Sequence, residues 1–259
     1  GGSSHIVQSD AGLLTLSGSI ANALGTGTRT LTLTGDGDGA ITGAIGNGTG
    51  TTAVAKSGAG TWTLTNTHGY TGATGVSAGT LVINGNISTS SLTTVSGTGT
   101  LEGTGQVGAL EATSGGTVAP GSSPGILYAG NTNLGSGSTL AIEINGNTVG
   151  SGYDQLNVSG TVALAGLLDV SLGYAPVENT LFFILAKNDT DAVSGTFSGL
   201  ANESWFSVGS QLFRISYFGD SAGNSFTGGN DVVLRAVPEP GAVLLGGLGA
   251  LALLRRRRR

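Results

Sequence analysis

Cysteine and methionine are both absent from this sequence of 259 residues, and only 10% of the residues are charged. Without cysteine, disulfides cannot stabilise the fold, and the redox state carries no information about the compartment. A chain that begins Gly1-Gly2-Ser3-Ser4 without an initiator methionine is expected to be a fragment or a processed product. Any N-terminal export signal is then expected to lie outside this sequence, so export has to be inferred from the other end.

Basic residues are scarce outside the last five positions. The chain has 15 acidic and 10 basic residues, of which residues 238–259 hold one acid and five bases. Residues 1–237 therefore carry 14 acids and 5 bases, a net charge of −9. Those five bases are scattered: Arg29, Lys56, Lys187, Arg214 and Arg235. This pattern predicts no patch that could follow a phosphate backbone, so nucleic acid is not expected as a partner.

Histidine, the usual general base for a nucleophilic serine, is also scarce. Three G-x-S-x-G matches place serine at Ser77, Ser123 and Ser221, but glycine and serine are so common here that the motif is weak. A nucleophile elbow needs a histidine after the serine. The two histidines, His5 and His68, both precede all three serines.

Two other catalytic arrangements receive little support. The order His68, Asp154, Ser221 is that of trypsin-like proteases, but the residues around His68 show none of that family's histidine motif. The acidic residues of the middle region are spaced too irregularly to predict paired carboxylates; they are Glu102, Glu111, Glu143 and Asp154. The sequence therefore predicts no catalytic, cofactor or metal site, and the protein is not expected to be an enzyme.

One acidic run invites a calcium interpretation. Residues 35–39 are Gly-Asp-Gly-Asp-Gly, and calcium-binding solenoid turns combine the same two residue types. Those turns are built from tandem copies, whereas this run occurs once. An ordinary acidic turn is the favoured interpretation.

Glycine, by contrast, is abundant, with 49 residues, and it recurs in a pattern. A triplet of glycine or serine, threonine and a large apolar residue repeats at intervals of 19, 20, 17, 22 and 22 residues. The apolar members are Trp62, Leu81, Leu101, Val118, Leu140 and Val162. Each triplet opens a short run with β character and is followed by turn residues that cannot support a helix.

A period near 20 built from strands and turns predicts a parallel β-solenoid with one coil per repeat. A β-sandwich is the alternative, although its strands usually recur every ~8–12 residues. Residues 56–83 also resemble the autotransporter-associated β-strand repeat, K-x-G-x-G-T-x-x-L, then Y-x-G, then G-T-L. The matching positions are Lys56, Gly58, Gly60, Thr61, Leu64, Tyr70, Gly72, Gly79, Thr80 and Leu81.

The predicted architecture is all-β, a right-handed parallel β-helix with a C-terminal antiparallel cap. Residues 1–165 are expected to form the solenoid, with the six apolar triplet residues pointing into a shared interior. The proline-containing segment 118–125 predicts a rigid loop or coil corner, since proline cannot donate to a strand ladder. Residues 166–236 contain larger apolar side chains and are expected to cap the open end of the stack.

The tail, 237–259, has three parts in order. Val237, Pro238, Glu239 and Pro240 come first, followed by 14 uncharged residues and then by five arginines, Arg255, Arg256, Arg257, Arg258 and Arg259. As a helix the uncharged stretch would be about 21 Å long, short of the ~30 Å hydrocarbon core. The arginines predict retention on the cytoplasmic side, with their stems making up part of the missing span.

This tail resembles the PEP-CTERM sorting signal of Gram-negative bacteria. The resemblance implies transient anchoring in the inner membrane and recognition by an exosortase, a membrane protease expected to remove the tail. The body would then be released or displayed at the surface in a matrix rich in exopolysaccharide. A plain single-pass anchor that stays attached is the alternative.

These observations favour an exported structural or adhesive protein that contacts exopolysaccharide through a Thr, Ser and Asn surface. Trp62 and Tyr70 are the aromatic residues of the repeat that could stack on a sugar ring. The alternative is a carbohydrate-active β-helix enzyme, a polysaccharide lyase or hydrolase. Acidic side chains clustered on one face of the solenoid would favour that alternative.

Overall fold

The computed structural model describes residues 4–22 and 25–237. In these ranges every regular element is a β-strand, which confirms the all-β prediction. The predicted C-terminal helix and arginine cluster, at 238–259, lie outside the described residues.

The strands are short and are separated by turns rich in glycine. In chain order the first twelve are β1 (His5–Gln8), β2 (Leu13–Leu16), β3 (Ile20–Asn22), β4 (Arg29–Thr34), β5 (Asp38–Ile41), β6 (Ile45–Gly48), β7 (Thr52–Lys56), β8 (Thr61–Leu64), β9 (Thr74–Ile83), β10 (Asn86–Ile87), β11 (Thr93–Gly103) and β12 (Gln106–Val107). The others are β13 (Leu110–Ala112), β14 (Thr117–Pro120), β15 (Ile126–Ala129), β16 (Thr132–Leu134), β17 (Thr139–Ile144), β18 (Gln155–Val158), β19 (Val162–Leu164), β20 (Leu167–Leu172), β21 (Leu181–Lys187), β22 (Ser194–Gly195), β23 (Trp205–Val208), β24 (Gln211–Gly219) and β25 (Asp231–Val237).

These strands stack in three columns that the chain visits in turn. The first column contains β1, β4, β7, β9, β11, β13, β16, β19 and β22. The second contains β2, β5, β8, β14, β17 and β20 with the second halves of β9 and β11. The third contains β3 and β6, and further along β10, β12, β15, β18 and β21. Pairing within each column is parallel, which confirms the predicted β-solenoid.

One row of large apolar side chains runs through the second column. Trp62 pairs with Leu81, and Leu81 pairs with Leu101. Leu101 pairs in turn with Val118, and Val118 with Leu140. All five are completely buried, which confirms that the repeated triplet supplies a shared interior.

The sixth triplet residue, Val162, lies in a different column. Leu140 pairs with Leu168 of the next coil, whereas Val162 pairs with Thr132 in the first column. The reason is an insertion, since residues 145–153 form a small separate loop that lengthens this coil. The triplet therefore recurs in sequence but out of spatial register. Val162 is nevertheless buried in the same interior as the other five triplet residues, so the predicted shared interior is confirmed for all six.

Lys56 occupies a buried interior position at the end of β7. Its Nζ donates hydrogen bonds to the carbonyl oxygens of Ser57 (2.9 Å), Gly58 (2.8 Å) and Ala78 (3.0 Å). Burial lowers the pKa of Lys56. These hydrogen bonds join the turn after β7 to the following coil. Each hydrogen bond to a charged group contributes about 1.5–3 kcal/mol to stability.

Gly39 makes room for Trp62, the largest side chain of the repeated row. The two residues are paired in neighbouring coils, and a Cβ on Gly39 would lie 2.5 Å from the indole ring. The indole Nε1 donates to the carbonyl oxygen of Thr34 at 3.4 Å. The packing of Trp62 thus depends on the absence of a side chain beneath it.

The parallel stack continues beyond residue 165, the expected end of the solenoid. β20 pairs in parallel with β17, β21 with β18, and β22 with β19. Antiparallel pairing begins on the other edge of β21, where β25, β24 and β23 follow in that order. Phe213 of β24 packs edge-on against Phe182 of β21, with ring centroids 6.2 Å apart. We call β23–β25 the C-terminal cap.

The contact between Gly39 and Trp62 generates a double-mutant test. Gly39→Ala is expected to lower the free energy of unfolding by about 1–3 kcal/mol, because the new methyl group overpacks the ring. In a Trp62→Leu background, which copies the neighbouring coil, the same substitution should cost much less. Urea denaturation of the four proteins measures the coupling. Equal costs of Gly39→Ala in both backgrounds would contradict this packing account.

Candidate functional site

A cleft on the outer face of the second column is the candidate site. It has a volume of ≈ 220 Å³ and is lined by Glu102, Ala119, Pro120, Gly121, Ser122, Ser123, Ala141, Ile142, Glu143, Asp154, Asp169 and Ser171. Four of these residues are acidic. They come from β11, β17, β20 and the segment that leads into β18.

Strand register explains why these acids meet. Glu102 of β11 pairs with Ala119 of β14, and Asp169 of β20 pairs with Ala141 of β17. Because side chains alternate along a strand, residues at equivalent positions of successive coils share one face. Glu143 lies two positions after Ala141, so it points to that same face.

The proline-containing segment forms one wall of the cleft. Pro120 ends β14, and Gly121 bonds across to Gly103 through both backbone groups at 2.8 Å. Beyond it, the Ser123 hydroxyl donates to Glu143 Oε2 at 2.6 Å. The segment is therefore a coil corner tied to β17.

Asp154 is the most perturbed acid of the cleft. It is only 3% exposed. Its Oδ1 accepts from the backbone N–H of Gly125 at 2.7 Å, and its Oδ2 accepts from that of Glu143 at 2.8 Å. Burial raises the pKa of Asp154 to about 6; the two backbone hydrogen bonds oppose this shift, and the charges of Glu143 and Glu102 add to it.

Glu102 shares this electrostatic environment, because burial and the charge of Glu143 raise its pKa above the ordinary value. Two carboxyl groups whose environments separate their pKa values are the minimal set for acid and base catalysis in glycoside hydrolysis. In this cleft, however, backbone N–H groups occupy both oxygens of Asp154. The lining contains no histidine, lysine or arginine.

The irregular spacing of the acids in the sequence did not predict that three of them meet. Glu102, Glu143 and Asp154 converge in the cleft, and Asp169 joins them. Glu111 lies elsewhere, on β13, where its Oε1 accepts from Asn133 Nδ2 at 3.3 Å. The convergence follows from the pairing register of the coils. That register could not be read from the sequence, because residues 145–153 lengthen one coil and break the regular spacing.

The structure does not bring together His68, Asp154 and Ser221, the trio in the chain order of trypsin-like proteases. His68 is buried, and its Nδ1 accepts from the backbone N–H of Ile45 at 3.0 Å. Asp154 is bound in the acidic cleft, and the Ser221 N–H donates to Asp231 Oδ2 at 2.8 Å. Within residues 4–22 and 25–237, no hydrogen bond joins two members of the trio His68, Asp154 and Ser221.

The acidic run at 35–39 and the two aromatic residues of the repeat form neither a metal site nor a sugar-stacking surface in the described residues. In the described ranges no three His, Asp or Glu side chains are grouped so as to hold a metal ion. In the acidic run at 35–39, Asp38 Oδ1 accepts from the backbone N–H of Thr61 at 2.9 Å. Trp62 and Tyr70 are both 0% exposed, so neither can stack on a sugar, and that expectation is wrong.

The stacked parallel coils and antiparallel end strands define the described part of the chain as a β-solenoid. Residues 54–83 match the passenger-associated-transport-repeat family, and residues 236–259 match the PEP-CTERM protein-sorting motif. Both resemblances seen in the sequence are thereby confirmed. No curated protein matches the chain.

The sorting motif indicates an exported protein that an exosortase processes at its C-terminus. Val237, the first residue of the predicted signal, still belongs to β25, and its carbonyl oxygen accepts from Gln211 Nε2 at 2.9 Å. The motif therefore follows the cap without an intervening linker. Among the residues that the structure describes, no helix is long and apolar enough to cross a membrane.

The raised pKa of Asp154 predicts a pH dependence of stability. The folded chain holds this proton more tightly than the unfolded chain, whose ordinary pKa is 3.8. The associated stabilisation is complete below that value and is lost as the pH rises through about 6. Asp154→Asn, which is neutral throughout, should flatten the fall in unfolding free energy between about pH 4 and about pH 6.5.

Urea denaturation at several pH values measures this effect, with Glu111→Gln as the control because Glu111 lies outside the cleft. The control should keep the full pH dependence. An unchanged pH dependence in Asp154→Asn would show that another group titrates.

Proposed function

We propose that this protein is an exported structural and adhesive component of the cell surface or extracellular matrix, associated with exopolysaccharide. The observation that carries the proposal is a sorting motif joined directly to a capped β-solenoid. In this proposal the tail inserts transiently in the inner membrane, and an exosortase then removes it. The rigid stack is what remains outside.

The polar surface of the coils supports an adhesive role. Side chains of neighbouring coils hydrogen-bond to one another, as between Asn86 Nδ2 and Gln106 Oε1 at 3.0 Å and between Asn188 Nδ2 and Asn157 Oδ1 at 2.6 Å. Amides and hydroxyls of this kind also hydrogen-bond to sugars. A repetitive stack presents many such groups at a regular spacing, and weak contacts then add through effective concentration.

A carbohydrate-active enzyme is the second candidate function, and the acidic cleft is the observation that favours it. Its carboxyl groups converge on one face, and the pKa of Asp154 is raised to about 6. The hydrogen bonds of the cleft favour a structural role instead. The Asp154 carboxylate accepts hydrogen bonds from the backbone N–H groups of Gly125 and Glu143, and the Glu143 carboxylate accepts one from the Ser123 hydroxyl. These two acids therefore hold the proline-containing corner against β17.

A turnover assay separates the two functions. The full chain is incubated with acidic and neutral polysaccharides, and new reducing ends or unsaturated products are measured. We expect none, because the carboxyl groups of Asp154 and Glu143 are hydrogen-bonded within the protein itself. Turnover that is lost in Glu143→Gln but kept in Glu111→Gln would establish the enzyme and refute the structural role of the cleft.

Processing of the tail is tested through Glu239. In a host that has the exosortase, Glu239→Ala is expected to leave a longer, membrane-bound product, because the changed motif is no longer recognised. Immunoblots of membrane and medium fractions measure the distribution. Mass spectrometry of the exported wild-type protein provides the check. A mature form that still ends in Arg259 would refute removal of the tail, and the tail would then be a permanent anchor.

A further inference from the structure

The outer face of the C-terminal cap carries an aromatic side chain and two arginines in one row. Trp205 of β23 pairs with Arg214 of β24, and Arg214 pairs with Arg235 of β25. Directly opposed residues of antiparallel strands have their side chains on the same face. Trp205 is 55% exposed, which makes it the most exposed aromatic residue of the described chain.

Phe226 organises the two arginines. This residue belongs to the loop between β24 and β25, and its ring centroid lies 4.4 Å from the Arg235 guanidinium carbon and 5.6 Å from that of Arg214. Contact with an aromatic ring holds a guanidinium in place while its edge keeps the N–H donors that match a carboxylate. Arg214 also forms an ion pair with Glu203.

This row is the main concentration of positive charge on the described body. Of the five bases within the described ranges, Lys56 and Lys187 are buried. Arg29 begins β4, many coils from the cap. The other two are neighbours in this row. Since Glu203 offsets Arg214, the net positive charge of the row comes from Arg235, two strands away from the exposed indole of Trp205, in a chain whose body is otherwise acidic.

We propose that this row is a binding site for an acidic polysaccharide, with a sugar ring on Trp205 and a sugar carboxylate on Arg235. An indole offers a flat apolar face to a sugar ring. The arginine fork provides paired donors for a planar carboxylate. The negative charge of the rest of the body disfavours binding of a polyanion elsewhere, so charge complementarity selects this face.

The inference deepens the proposed function, on which it rests, by assigning the polysaccharide contact to one site and to one charge class. It also differs from the sequence-based expectation, which placed stacking on Trp62 and Tyr70. Both of those are inside the solenoid. Trp205 satisfies the same chemical requirement on the surface.

The test measures binding of the full chain to polygalacturonate and to its methyl-esterified form, which has the same backbone without the charge. In the parent and in every variant, each arginine from Arg255 to Arg259 is replaced by glutamine, because the arginine cluster would itself attract a polyanion. Affinity electrophoresis should show binding to polygalacturonate that weakens as salt rises from about 50 mM to about 500 mM. The esterified polymer should bind at least about tenfold more weakly.

Substitutions in the row locate the site. Trp205→Ala and Arg235→Gln are each expected to weaken binding by about tenfold, and Trp205→Phe should restore most of the loss of Trp205→Ala. Arg235→Lys keeps the charge but loses the planar fork, so its affinity should stay below that of the parent. Tyr128→Ala, at another exposed aromatic residue, and Arg29→Gln are the controls and should change affinity by less than about twofold. Thermal melts verify that each variant is folded.

The outcomes separate the site from the proposed function. If Trp205→Ala and Arg235→Gln bind polygalacturonate as the parent does, or if the parent prefers the esterified polymer, the site is refuted and the adhesive role remains. If the parent binds neither polymer nor the producer's own polysaccharide, the adhesive role is refuted as well. The site is supported if Trp205→Ala and Arg235→Gln both weaken binding to polygalacturonate while Tyr128→Ala and Arg29→Gln keep it.

Discussion

Backbone pairing between coils at a constant spacing is the constraint on which the rest of this structure depends. Parallel strands lie about 4.8 Å apart, so each residue must fit against its equivalent in the preceding coil. At Gly35, whose φ is 102°, a Cβ would lie 1.9 Å from the carbonyl oxygen of Ser9. At Gly39 it would enter the ring of Trp62. Glycines at such positions are therefore the residues that let one coil approach the next, while the buried apolar side chains fill the interior of the stack.

The same constraint governs the buried polar groups. Lys56 and Asp154 are each held mainly by backbone groups: Lys56 by carbonyl oxygens of its own turn and of the next coil, Asp154 by N–H groups of two segments that it bridges. Each is a charge-bearing group in an environment that disfavours its charged form, with a lowered pKa for Lys56 and a raised pKa for Asp154. Because a buried polar group without a partner is costly, these contacts also fix where each coil turns.

Two surfaces of the molecule then differ in what they offer to a ligand. The acidic cleft gathers four carboxyl groups, but those of Asp154 and Glu143 are engaged in holding Gly125 and Ser123 in place. The row on the cap has an exposed indole and two half-buried arginines that contact the ring of Phe226. An exported protein that acts by contact requires the second kind of surface more than the first. The cap also connects directly to the sorting motif, so the row of Trp205, Arg214 and Arg235 and the sorting motif lie at the same end of the chain.

The sequence by itself determined the local features of this protein: strands instead of helices, a coil period near 20, the buried triplet row, and a tail with a sorting motif. These follow from residue type and spacing, which act over a few neighbouring positions. Only the tertiary structure decided the rest. With the insertion at 145–153, Val162 pairs in the first column and not with Leu140, and Glu102 and Asp154 line one cleft. Burial of Trp62 and exposure of Trp205 likewise depend on which face of a strand meets another coil, and that is decided by the summed lengths of the coils, which no local pattern encodes.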